Sequence, residues 1–329
     1  MEAIMEKLSI YGNNLKKKES KRQEDIQKAK HLAPFTYVLG MKGKNFRRHI
    51  AIAFNFWYAV NGADMDWIFR LIDLLHNGSL VIDDIQDNSE LRRGKPAAHL
   101  LYGVPLSINA ANYAYFDALR VLLERNSLRA VEIFTEELLN LHHGQGMELY
   151  WRDWEIFAPN DDPKKYIPTE DEYVEVIAKK TSGQFILLAR IMRLRKHKGK
   201  PDVDLTNLAY MAGVYFQIRD DFMNLTSQEY TDTKGFCEDI SEGKLSFPVI
   251  HALNKVSDEV KDRLIKLLKA RSTSEKVKLE VLDILNSSGA LRYTKEKLAR
   301  LRVGIEKEIE SLGENQLLEQ VMETLWVED

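Results

Sequence analysis

The chain of 329 residues holds a single cysteine, Cys237. That excludes an internal disulfide framework and a thiolate zinc site of the usual spacing, and it fits a reducing compartment. Long apolar runs are missing too. No stretch approaches the roughly 20 consecutive apolar residues that a spanning helix needs, and the N-terminus has no secretory hydrophobic region. Glu2, Glu6 and Glu19 sit poorly in an organelle transit peptide, which is typically poor in acidic residues. A cytoplasmic protein with no transmembrane segment is expected. Charge of one sign is also lacking: Lys and Arg number 47 against 50 Asp and Glu, for a formal net charge of -3. Near-neutrality argues against nucleic acid as a partner, because binding to a phosphate backbone rests on a basic surface.

Sustained alternation with period two is absent, whereas apolar residues recur at helical spacing from Phe46 onward. Ile68, Leu71, Ile72, Leu75, Ser79 and Ile82 make one stripe, and Leu208, Met211, Tyr215, Ile218, Phe222 and Leu225 make another. The pattern predicts an all-α protein of about ten helices joined by short turns. One long loop is expected over residues 157–168, with Pro159, Pro163 and Pro168, and a shorter break at Lys198-Gly199-Lys200-Pro201. Neither has the composition of an interdomain linker. A polar lead-in over residues 1–30, carrying Lys16, Lys17, Lys18, Lys21 and Arg22, is therefore expected to precede one domain over residues 31–329. The C-terminal third, from about Lys255, is amphipathic and reads as scaffold.

Two aspartate clusters interrupt the apolar helices, Asp83-Asp84-Ile85-Gln86-Asp87 and Asp220-Asp221-Phe222-Met223-Asn224. Asp83 and Asp87 are one turn apart on a shared face and would repel unless a cation lay between them. Mg²⁺ fits, since it is held by one or two carboxylates and completes its octahedron with water and substrate phosphate. The pattern thus points to a diphosphate substrate. His76 falls on the face of Asp83 and Asp87. In the second helix Gln217, Asp220, Asp221 and Asn224 form a polar stripe inside an apolar run, which costs several kcal/mol unless cations or hydrogen bonds compensate.

Basic groups surround these clusters in the chain. Arg92 and Arg93 follow the first one; they either present planar forks to diphosphate oxygens or merely neutralise the acidic residues, and both can hold. Gly43-Lys44-Asn45-Phe46-Arg47 precedes a helix and reads as an anion site or as a surface basic pair. Lys234 and Lys244 lie in a segment bearing Gly235 and Gly243, which suits a lid closing on phosphate or equally a solvated loop. Gln145 with Glu148, and Lys180-Thr181 with Gln184, are small polar groups that could be ordinary buried hydrogen-bond pairs.

In order and spacing, these motifs, with Gly144-Gln145 and the Glu242-Gly243-Lys244-Leu245-Ser246-Phe247-Pro248 run, resemble the trans-isoprenyl diphosphate synthases, most closely the eukaryotic geranylgeranyl diphosphate synthases. The likeness runs from about residue 32 to about residue 256. It implies a helical bundle around a central cavity, working as a homodimer or higher homo-oligomer. Asp83, Asp87 and Asp220 would bind about three Mg²⁺ ions on an allylic diphosphate, supported by Asp84 and Asp221. Arg92, Lys180 and Lys234 would touch that diphosphate, joined by Thr181, Gln217 and Lys244. Gly43, Lys44, Arg47, His76 and Arg93 would form the pocket for isopentenyl diphosphate. Glu148 stands where the family often has aspartate, and Asn224 replaces the last aspartate of the second motif. Gly78 and Ser79 are small where farnesyl-producing relatives carry bulky aromatics, so the product should exceed fifteen carbons. Tyr113, Tyr115, Phe116 and His142 are candidate floor residues, which suggests twenty.

Two other functions compete. A class I terpene cyclase would share the first cluster, but its second metal motif continues with a hydroxyl residue and a glutamate where this chain has Asn224 and Gln228. A non-catalytic regulatory subunit predicts eroded ligands, whereas both clusters and their basic partners are intact.

Overall fold

The computed structural model describes residues 24–155 and 166–327, apart from the side chains of Thr233 and Lys234. The basic run at residues 16–22, most of the lead-in, and the prolines at 159 and 163 lie outside the described residues. The fold is all-α, as the periodicity predicts. Among the described residues there are sixteen α-helices, two π-helical turns and one pair of two-residue strands, Leu91–Arg92 with Lys95–Pro96. The number exceeds the ten or so expected because short helices such as Ala98–Tyr102, Gln228–Lys234 and Glu238–Glu242 fill connections that read as turns.

By their contacts the described residues gather into two compact units. The smaller holds the residues up to Lys42, Asp73–Glu90 and Pro96–Asp117; the larger holds Gly43–Ile72, Leu91–Lys95 and the chain from Ala118 onward. In the smaller unit Val38, Val81, Ala98 and Ala111 form a buried cluster, with Tyr37, Leu80 and Ile82 packed on it. Tyr37 donates a hydrogen bond to the Pro96 carbonyl at 3.0 Å, which fastens helix Ala33–Leu39 to the residue that ends strand Lys95–Pro96.

The core of the larger unit contains Ile50, Phe54, Tyr58, Ile177, Phe185, Ile191, Tyr215 and Phe247, all fully buried. Helix Thr206–Thr226 buries Leu208, Tyr215, Ile218 and Leu225 of its predicted stripe. Helix Glu170–Ile177 starts from a capping box, in which Thr169 and Glu172 exchange side-chain and backbone hydrogen bonds. The helical path then widens into a π-helical turn, Ala178–Ser182, before resuming as Gly183–Leu194. Two glycines let neighbouring helices approach this turn. A Cβ on Gly144 would lie 2.5 Å from the Lys180 amide nitrogen, and one on Gly213 would collide with Ser182. Inserted turns of this kind are frequent at functional sites.

Candidate active site

The first aspartate cluster sits in the smaller unit, at the end of helix Gly62–Gln86. Asp87 lies just past the helix, but its N–H donates to the Asp83 carbonyl at 2.9 Å, so the turn continues and the two side chains share a face. Both are half-buried, while Asp84 between them is fully buried. Tyr115, on helix Val104–Leu123, senses this cluster: burial, helped by the charge of Asp83, pushes its phenol up to about 12. Its ring edge also lies 3.5 Å from the point where a Cβ on Gly78 would stand. The Ser79 hydroxyl turns back to the His76 carbonyl at 2.8 Å, and His76 is half-buried.

The expected pocket floor needs correction. Phe116 is 73% exposed, and His142, on helix Leu128–Tyr150, is exposed with its ring nitrogen 2.8 Å from the Leu138 carbonyl. Tyr113 packs edge-on to His31 at 5.5 Å, with Lys28 over its ring. Helix geometry points neighbouring side chains about 100° apart, so Tyr115 and Phe116 cannot both face inward. Of the four, Tyr115 is the one that lies against Gly78.

In the larger unit the second cluster is held differently. Asp221 is fully buried and accepts from Lys244 at 2.9 Å, from Gln217 at 3.0 Å, from the Phe247 N–H at 2.8 Å and from the Tyr173 hydroxyl. Gln217 in turn accepts from Thr181 at 2.7 Å, which ties the π-helical turn to the second cluster. Asp220, one residue earlier and half-buried, accepts from Tyr230 at 2.9 Å. Asn224 accepts from the Asp239 N–H at 3.2 Å. The N–H of Asp239 would otherwise be unsatisfied at the start of helix Glu238–Glu242.

Lys244 is also a correction. It is buried rather than on a solvated lid, its ammonium lying between Asp221 and Asp239 at 2.9 and 3.2 Å. Burial alone would lower its pKa, but Asp221 and Asp239 outweigh that and hold it well above the ordinary lysine value. The segment expected as a loop is largely the two short helices Gln228–Lys234 and Glu238–Glu242, and the Lys234 side chain lies outside the described residues.

Cationic groups of the larger unit gather around Gly43. A Cβ there would stand 2.8 Å from the Arg93 guanidinium carbon, so glycine lets Arg93 lie against the backbone. Arg93 and Gly94 both have positive φ, 54° and 73°, as a two-residue hairpin turn between Leu91–Arg92 and Lys95–Pro96 requires. Arg47 sits over the rings of Phe185 and Phe216, at 5.4 and 5.9 Å. Burial and the nearby Arg93 lower its pKa to about 10, and Asp220 partly offsets them. Lys44 pairs with Glu229 at 2.7 Å. Lys180, on the π-helical turn, pairs with Glu148 at 2.5 Å, so the longer carboxylate that departs from the family pattern reaches its lysine.

The family model for polyprenyl synthetases matches residues 28–285, a span that includes every group described above. The chain belongs to the polyprenyl synthetase family. It is 42% identical to a geranylgeranyl pyrophosphate synthase of Mucor circinelloides f. lusitanicus over 96% of this chain and 98% of that one. It is 41% identical to a geranylgeranyl pyrophosphate synthase of Dictyostelium discoideum, over 90% and 93% of the two chains. A protein of Matsumurasca onukii named a terpene synthase is 43% identical over the same shares, 90% and 93%. No helix among the described residues is long and apolar enough to cross a membrane.

Against this family background, the larger unit brings together Gly43, Arg47, Arg93 and Asp220, and separately Lys180, Thr181, Gln217, Asp221 and Lys244; Arg92 lies on the hairpin beside Arg93. The smaller unit holds His76, Gly78, Ser79, Asp83, Asp84, Asp87 and Tyr113. Among the described residues no three carboxylates, imidazoles or thiolates form a ready metal cage. The donor set still fits Mg²⁺, which takes one or two carboxylates and fills its remaining positions with phosphate oxygens and water. Asp83, Asp87 and Asp220 offer such oxygens at half-buried positions, whereas the carboxylate of Asp221 accepts from four protein donors. Tyr173, Tyr230 and Gly213 escaped the sequence reading. Tyr173 lies two turns before Lys180 on one helical path and could have been found by that spacing; Tyr230 and Gly213 carry no such signal, because their partners lie across helix breaks.

Proposed function

We propose that the protein is a Mg²⁺-dependent prenyltransferase that condenses isopentenyl diphosphate with an allylic diphosphate, farnesyl diphosphate in the first instance, to give geranylgeranyl diphosphate. The observation that carries this reading is the likeness, across nearly the whole of both chains, to a synthase of that name, supported by the Asp83–Asp87 pair on one turn. Asp83, Asp87 and Asp220 would hold Mg²⁺, which would supply charge neutralisation for the diphosphate leaving group. Arg92, Lys180 and Lys234 hold the allylic diphosphate and stabilise its growing charge, so the C–O bond breaks to an allylic cation. Glu148 orients Lys180, and Thr181 with Gln217 fixes the side of the helix that faces the cation. Gly43, Lys44, Arg47, His76 and Arg93 hold isopentenyl diphosphate so that its double bond attacks that cation. A proton then leaves the new chain, with the departed diphosphate as acceptor. Asp221 and Lys244 act as supports.

Gly78 bears on product length. With no side chain there, Tyr115 closes against the helix, and a bulkier residue at 78 would displace that ring and shorten the space available to the growing chain. Exposed apolar groups in the smaller unit, including Leu100, Leu101 and Phe116, favour a homodimer, for which such patches are a common signature. A cytoplasmic location suits the single buried thiol, Cys237.

The test is incubation with Mg²⁺, isopentenyl diphosphate and farnesyl diphosphate, followed by separation of the dephosphorylated products by length. A twenty-carbon alcohol is expected, and longer products would overturn the assigned length while keeping the chemistry. The likeness to a protein named terpene synthase motivates a second reading, cyclisation, which predicts a hydrocarbon from farnesyl diphosphate alone.

A further inference from the structure

Helix Gln228–Lys234 begins just after the second cluster, and its residues bond to two groups already assigned to the site. Glu229 pairs with Lys44 at 2.7 Å, and the Tyr230 hydroxyl donates to Asp220 Oδ1 at 2.9 Å. The Tyr230 hydroxyl is itself held. Arg219 Nη1 donates to it at 3.4 Å, while Arg219 Nε donates to the Leu325 carbonyl at 2.6 Å. That carbonyl also accepts from Tyr215 at 3.3 Å, and the Val327 N–H donates to the Tyr215 hydroxyl at 3.2 Å. Trp326 stands edge-on to Tyr215 at 4.8 Å, with Arg302 over its ring at 5.3 Å. The segment 325–327 is therefore tied to helix Thr206–Thr226 one turn before Asp220, and a line of hydrogen bonds runs from it through Arg219 and Tyr230 to the carboxylate.

We propose that Tyr230 is a positioning residue for Asp220, and that Arg219, anchored on the Leu325 carbonyl, holds Tyr230 in place. The proposal rests on the reading of Asp220 as a ligand of the metal that grips the allylic diphosphate. A carboxylate rotates about its Cβ–Cγ bond, and a hydroxyl donated from a separate helix to one oxygen fixes that rotation before a cation arrives. Outer groups of this kind orient metal ligands, and their removal typically costs about 10–100-fold in metal affinity or activity. Arg219 serves Tyr230 with one nitrogen and the C-terminal segment with another, which a shorter or non-planar cation cannot reproduce.

The experiment measures binding of Mn²⁺, as a spectroscopic substitute for Mg²⁺, by the loss of free-ion electron paramagnetic resonance signal. It uses the full-length protein with an unreactive thio-diphosphate analogue of the allylic substrate, alongside thermal unfolding. Tyr230→Phe keeps the ring and removes the hydroxyl; it is expected to weaken Mn²⁺ binding about 10-fold with the melting temperature nearly unchanged. Arg219→Lys is expected to weaken it less, and the double variant to match Tyr230→Phe alone, because both act through one hydrogen bond. Asp220→Asn is the control. If Asp220→Asn weakens Mn²⁺ binding but Tyr230→Phe does not, the positioning role is overturned and the site stands. If Asp220→Asn leaves Mn²⁺ binding intact, the ligand reading fails, and the positioning role falls with it. Should Tyr230→Phe not fold, Arg219→Lys decides alone: unchanged Mn²⁺ affinity overturns the proposal.

Discussion

The two aspartate clusters look alike as letters and differ as structures. In the first, Asp83 and Asp87 are half-buried at the very end of a helix, where the chain turns away after Gln86. In the second, mid-helix, Asp221 is fully buried and joins three elements: Tyr173 from helix Glu170–Ile177, the amide that opens helix Phe247–Lys255, and Lys244. A carboxylate bound by so many protein donors works as a structural anion. One half-buried at a helix end suits an external cation. Adjacent aspartates in one motif thus divide into those that meet ligand and those that hold the fold, and burial with bonding decides which is which.

That division predicts opposite outcomes for the same substitution. Asp221→Ala takes from the buried Lys244 ammonium the closer of its two ion-pair partners, leaving Asp239 at 3.2 Å, and removes the acceptor of the Phe247 N–H. Breaking a buried pair in this way costs about 3–5 kcal/mol, to be read as a shifted denaturant midpoint. Asp83→Ala removes a half-buried carboxylate, so stability should change by less than about 1 kcal/mol, while turnover falls about 10²–10³-fold if the pair stabilises the departing diphosphate. Equal losses of stability in the two variants would erase the distinction.

Glycines sharpen the contrast at smaller scale. Gly213→Ala drives a methyl into Ser182, on the turn that carries Lys180 and Thr181, and should cost about 1–3 kcal/mol as an overpacked contact. Beside the first cluster, a Cβ on Gly78 would meet Ala114 at 3.4 Å, an ordinary contact, and Gly78→Ala should be tolerated. Gly146, with no neighbour within 4 Å of its would-be Cβ, serves as the reference; Ala there should stabilise the helix by about 0.5–1 kcal/mol. Thermal unfolding of the three variants reads the order directly. Destabilisation by Gly78→Ala as large as by Gly213→Ala would show that the first cluster is packed as tightly as the second.

What the sequence made legible was local. Helical stripes, the spacing of Asp83 and Asp87, and the polar face of Gln217 to Asn224 are periodicities within one helix, and each element was found where expected. What stayed hidden depended on distant parts of the chain. Lys244 follows a glycine and precedes Leu245-Ser246, a context that reads as a flexible loop, yet its ammonium is drawn into the core by Asp221, 23 residues earlier. The π-helical turn at Ala178–Ser182 leaves no mark in composition, because it arises where Gly144 and Gly213 permit close approach from two other helices. The pocket floor failed for a related reason. Tyr113, Tyr115, Phe116 and His142 are all plausible linings by residue type, but only the helix rotation, seen in space, separates Tyr115 from its exposed neighbour Phe116.

Tyr115 also provides the gentlest test of the first cluster. Its phenol stands at about 12 instead of 10, from burial first and from the Asp83 charge second. A pKa raised on folding means that folding favours the protonated form. The associated stability is complete below the unfolded value, about 10, and is lost as pH rises from there through 12. Asp83→Asn removes the second cause and leaves the first, so the phenolate, followed by its ultraviolet absorbance against a Tyr115→Phe reference, should appear at a lower pH that is still above 10. Asp220→Asn, a change of equal charge in the other cluster, should leave this titration where it is. A shift of equal size in both variants would mean that Tyr115 senses the net charge of the protein and that Asp83 does not act on its hydroxyl from close by.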